Sequence, residues 1–179
     1  MTDISFKLDP EIIIGTDTIN RAGTICAAQG GKAFILTEQV LYENKFIDRL
    51  LSILEDVHVE TLVFDDIPAQ ATAAVAETAA DLARGARCSI IIGFGGLKTQ
   101  SVARLCAMLV NSSVSAFELL DGKAPDQNFL PYLAIPTTGR DPFLFSGSFI
   151  AVDHRDRSVK LIKSPQGLCV ATIIDGGLS

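Results

Sequence analysis

The sequence predicts an α/β domain, a parallel sheet flanked by helices with a C-terminal β-hairpin. Three observations carry this. Short apolar strand-like runs alternate with segments of helical periodicity along most of the chain. Residues 89–104 (SIIIGFGGLKTQSVAR) pass from a β-branched run through glycines into a helical stripe. The style then changes near the end, where two alternating segments bracket His154, Arg155, Asp156 and Arg157 as a hairpin.

Taken in order, Glu11–Gly15 reads as a first strand closed by glycine, followed by a helix through Ala28 that Thr16 or Asp17 caps. A second strand covers 32–37. The next helix places Phe46, Ile47, Leu50, Leu51 and Leu54 on one stripe. A third strand at 59–64 precedes an alanine-rich helix over 72–84, whose buried side is read as Val75, Ala79 and Leu82. Ile90, Ile91 and Ile92 make a strand buried on both faces, and Val102, Leu105, Cys106 and Leu109 one face of the following helix. The stretch 111–128 is polar and irregular, with a short helix around Ala116–Leu120. Tyr132–Pro136 is a buried strand, Ser148–Asp153 and Ser158–Lys163 form the hairpin, and 171–174 is a last strand. A parallel sheet covered on both faces binds ligands at the carboxyl ends of its strands. The residues at those ends are Thr37-Glu38, Gln70, the glycine turn, and Thr137-Thr138-Gly139.

Composition narrows the function. The chain has 179 residues, 48% hydrophobic and 20% charged, which fits one globular domain. A net charge of −6 with no basic run argues against nucleic acid and anionic membrane as partners. No apolar stretch reaches the roughly 20 residues of a membrane span, and the start, MTDISFKLDP, has no signal-peptide core, so a cytoplasmic location is expected. Cys26, Cys88, Cys106 and Cys169 form no C-x-x-C pair and read as small buried hydrophobes. With His58 and His154 the only histidines, no catalytic residue and no metal ligand is assigned within the chain.

The glycine turn satisfies neither strict phosphate motif. In G-x-G-x-x-G beginning at Gly93 the last position is Lys98, and a P-loop ending in Lys98-Thr99 would need glycines at Ile92 and Leu97. An acid placed like Glu38 accepts hydrogen bonds from adenosine ribose hydroxyls, or is a surface acid near a helix start. Thr137, Thr138 and Gly139 offer hydroxyls and N–H groups to a phosphate, or make a capped turn.

With these residues in place, the whole chain resembles the N-terminal domain of the iron-containing (group III) alcohol dehydrogenases, related to glycerol dehydrogenase and dehydroquinate synthase. The resemblance rests on IIGT at 13–16, FILTE at 34–38, the placement of 89–104 on G-G-G-S-x-x-D-x-A-K, and LAIPTT at 133–138, with the hairpin and Ser164-Pro165 following. It implies a Rossmann-like domain that binds NAD or NADP as part of an oxidoreductase transferring hydride between an alcohol and the nicotinamide. The residues it assigns to the cofactor are Glu38, Gln70, Gly95, Gly96, Leu97, Lys98, Thr137, Thr138 and Lys160, with Glu38 favouring NAD. It also implies that iron or zinc is held in a helical C-terminal domain absent from this sequence, without which the chain is inactive, and that a homodimer can form. Departures are equally visible: Leu97 and Lys98 replace the third glycine and the serine, Ser101 and Arg104 replace the Asp and Lys, and GRDPFL at 139–144 replaces A-G-T-G-S-E. A left-handed backbone at 97 would strain leucine by roughly 1–2 kcal/mol, and its side chain would obstruct a pyrophosphate. A second reading therefore stands beside the first: a non-catalytic domain that serves oligomerisation or binds another small ligand.

Overall fold

A computed structural model describes residues 10–68 and 73–178. Six strands form one parallel sheet: β1 (Glu11–Gly15), β2 (Lys32–Leu36), β3 (Glu60–Phe64), β4 (Ile90–Gly95), β5 (Tyr132–Pro136) and β8 (Cys169–Asp175). Their spatial order is β1-β8-β5-β4-β2-β3. The remaining two, β6 (Ser148–Asp153) and β7 (Ser158–Lys163), pair as the antiparallel hairpin.

Alternation along the central strands builds two cores. Phe34, Leu36, Ile91, Tyr132 and Ala134 face one side, against α4 (Ala73–Gly85), α5 (Leu97–Leu109), α6 (Ala116–Leu120) and the hairpin's inner face. Ala33, Ile35, Ile90, Ile92, Phe94, Leu133 and Ile135 face the other, against α1 (Arg21–Gln29) and α3 (Phe46–Asp56). A parallel sheet needs both faces covered, which is why the isoleucine run carries no polar alternation.

The structure adjusts several sequence-based expectations. The 72–84 helix buries Ala73, Ala76, Ala79, Ala80 and Ala83, while Leu82 is 47% exposed and Val75 only half-buried. The alanine face prevails because α4 lies against α5, and small side chains allow two helices to approach closely. Helix α5 is buried around its whole circumference from Thr99 to Leu109, so one apolar face was too narrow a reading. Neither Thr16 nor Asp17 caps α1 through its side chain. Asp17 adopts a left-handed backbone (φ 58°) before a 3₁₀ turn at Thr18–Asn20. Asp175 of β8 instead anchors the 3₁₀ turn ahead of α1: its carboxylate accepts the N–H groups of Asp17 (3.1 Å) and Ile19 (3.0 Å), and also that of Gly177 (2.9 Å). A short helix α2 (Val40–Glu43), unread in the sequence, follows Glu38.

Candidate nucleotide site

The chain runs from β2 outward to β3, then returns to place β4 on β2's other side. Strand order reverses there, and in sheets of this kind the crevice at such a point is where ligands sit. Glu38 leaves the end of β2 and Gly96 the end of β4, so the two meet across this crevice. Glu38 Oε1 accepts the N–H of Gly96 at 2.8 Å and the hydroxyl of Thr99 at 2.6 Å. The carboxylate lies so close over Gly95 that a β-carbon there would come within 2.7 Å of Oε1.

β5 completes the rim. The N–H of Thr137 donates to the Gly95 carbonyl at 3.1 Å, and Thr138 Cγ2 lies 3.5 Å from where a Gly96 β-carbon would be. Five of the residues named from the sequence, Glu38, Gly95, Gly96, Thr137 and Thr138, thus converge at one place. Leu97 is the first residue of α5 with Gly96 as its N-cap, and it is not among the residues with positive φ, so the strain anticipated there is absent. Lys98 extends towards the segment after β3, where its ammonium lies 3.5 Å from the Ile67 carbonyl. Gln70 lies outside the described residues.

Lys160 is committed elsewhere. Its ammonium bonds Asp153 at 2.9 Å and lies 3.8 Å from Asp121 and from Asp156. Arg155 joins the same cluster through Asp153 and Asp121, and these donors hold both carboxyls below the usual carboxylate range. Among the described residues, no hydrogen bond or ion pair connects this cluster to Glu38 or to the glycine turn.

Three functional supports were not singled out from the sequence. Thr99 binds Glu38. Gln100, 1% exposed, donates from Nε2 to the carbonyls of Gly93 (2.9 Å) and Gly95 (3.1 Å), and its Oε1 accepts the hydroxyl of Tyr132. Arg104, 3% exposed, donates to the carbonyls of Phe143 (2.9 Å) and Leu144 (3.0 Å), tying α5 to the segment after β5. The available signal was a run of polar residues, 98–101, and the lone Arg104 in a helix that is otherwise apolar. The cysteines carry no nucleophile: burial pushes the Cys26 thiol up to about 12, and Cys88, Cys106 and Cys169 upward as well. Among the described residues no group of three or more His, Cys, Asp or Glu side chains is placed to hold a metal ion. None of the described helices is long and apolar enough to cross a membrane.

Fold and crevice together define a doubly wound α/β domain with a cleft at its strand-order reversal. The sequence model of the family described as iron-containing alcohol dehydrogenase matches residues 9–176, and the chain belongs to that family. Over 89 residues, half of this chain and 10% of the other, it is 29% identical to the bifunctional aldehyde-alcohol dehydrogenase AdhE of Escherichia coli K12. Among solved structures it superposes on the sulfoacetaldehyde reductase of Bifidobacterium kashiwanohense in complex with NAD+, with a TM-score of 0.90 at 19% identity. That match covers 99% of this chain and 47% of the reductase. NADH-dependent butanol dehydrogenase A of Thermotoga maritima gives a TM-score of 0.89 at 17% identity, over 99% of this chain and 45% of that enzyme. The chain therefore spans about half the length of these solved structures and a tenth of the Escherichia coli protein.

Proposed function

We propose that this chain is the nucleotide-binding portion of an oxidoreductase that moves a hydride between an alcohol and NAD. The observation that carries the reading is the convergence of Glu38, Gly95, Gly96, Thr137 and Thr138 at the strand-order reversal of a family domain. The α5 N-terminus offers N–H groups and dipole to a pyrophosphate. Glu38 accepts ribose hydroxyls and opposes a 2′-phosphate, so NAD is favoured over NADP. Thr137 and Thr138 bring hydroxyls to the rim. NAD, when bound, supplies the hydride acceptor; the chain binds and orients it. Among the described residues no group of side chains fits a resident metal, so the part of this chain in the reaction is to bind and orient the nucleotide.

Isothermal titration tests the reading. The expected result is saturable binding of NAD, tighter than that of NADP. No heat from a folded sample at millimolar NAD would sink the cofactor assignment. That outcome would favour the second reading, a non-catalytic domain for oligomerisation or another small ligand, which draws support from Leu97, Lys98 and the carboxylate already lying over Gly95.

A further inference from the structure

We infer that Glu38 is an internal competitor for the anionic part of a nucleotide, so that a pyrophosphate reaches the glycine turn only when this side chain swings out. The inference rests on the nucleotide-binding reading of the crevice and concerns how that site is regulated. Two donors that a phosphate at this turn would use, the Gly96 N–H and the Thr99 hydroxyl, both bond to Glu38 Oε1, at 2.8 and 2.6 Å. The same oxygen fills the space that the missing β-carbon of Gly95 leaves open. That is the space through which glycine lets a ligand approach a backbone.

Charge makes the competition exclusive. A carboxylate and a phosphate cannot share one pair of donors at hydrogen-bond distance, because like charges that close repel in a partly desolvated crevice. The nearest lysine of the turn, Lys98, faces the Ile67 carbonyl and not Glu38. The pivot for an outward swing lies at the end of β2, where Thr37 is fully buried and its hydroxyl has no hydrogen-bond partner among the described residues.

Inorganic pyrophosphate and NAD, each titrated calorimetrically into wild type, Glu38→Gln and Glu38→Ala, test the inference. Pyrophosphate should bind Glu38→Ala at least about ten-fold more tightly than wild type, a change of 1.4 kcal/mol. Glu38→Gln should fall between them, since its amide oxygen still accepts from Gly96. Thermal unfolding identifies any variant that has not folded, and Glu38→Gln, the isosteric change, decides if Glu38→Ala is lost. Equal or weaker pyrophosphate binding in the folded variants, including no binding by any of them, overturns the inference. The NAD arm reports separately: a pyrophosphate gain with no NAD binding anywhere leaves the competition standing and removes the cofactor reading. NAD binding to wild type with no pyrophosphate gain does the reverse.

Discussion

At Gly95 the backbone has φ +156°, and an added methyl group would meet Glu38 Oε1 at 2.7 Å and the Thr99 β-carbon at 3.0 Å. Glu38 is the flexible member of that pair, whereas Thr99 is fixed by α5. Gly95→Ala should therefore destabilise the fold by about 1–2 kcal/mol, and by less in a Glu38→Ala background, where half of the collision is gone. Urea denaturation of the four chains measures the coupling; strictly additive effects would show that Glu38 does not crowd this glycine. Much of this corner was legible in the sequence. An acid after an apolar strand, two glycines before a helix and a Thr-Thr pair after another strand are residue types that a βα loop at a sheet's carboxyl edge requires. The direction of the Glu38 carboxylate was not legible, because residue type does not fix the rotamer of a flexible side chain. Nor was the fate of Lys160. Hairpin register places it opposite Ala151, two positions along β6 from Asp153, and so brings the two charges together.

Among elements, α4 shows where periodicity misleads. The expected stripe of Val75, Ala79 and Leu82 holds at Ala79, which is buried, and in part at Val75, yet the buried face is made of alanines and Leu82 is exposed. A helical wheel ranks residues by hydrophobicity, but two helices packed closely rank them by size. Ala83→Leu should cost about 1–3 kcal/mol through overpacking, while Leu82→Lys should stay within about 0.5 kcal/mol of wild type. Thermal melts that reverse this order would put the α4 face back where the sequence suggested it. The strands were the more readable elements, since a run such as Ile90–Gly95 is apolar on both faces wherever it lies in a parallel sheet. The anchor of the 3₁₀ turn before α1 was unreadable for the opposite reason: its acceptor, Asp175, is more than 150 positions away in the chain.

Across the whole molecule, acid should be the weak condition. Glu118 is held at about 2, chiefly by the Lys123 ammonium and the Ser115 N–H and hydroxyl. Hydrogen bonds and nearby cations likewise keep Asp121, Asp126, Asp153 and Asp156 low. Burial alone would raise Asp175, but three N–H donors outweigh it. Groups whose folded pKa lies below the unfolded value of about 4 contribute stability above that pH, and the contribution disappears as pH falls through the folded values. Asp141 runs the other way, raised by burial against the pull of the Phe143 N–H and Arg104. The urea midpoint should accordingly fall between pH 5 and pH 3, and a midpoint that held or rose would contradict this balance. The sheet order has a kinetic consequence too. β1 lies at an edge with β8 as its sole neighbour, Glu11 opposite Ala171 and Gly15 opposite Asp175. β1 therefore has no partner in this sheet until β8, more than 150 positions later in the chain, has been made. Closing so long a loop is slow, and β1 spends that interval unpaired.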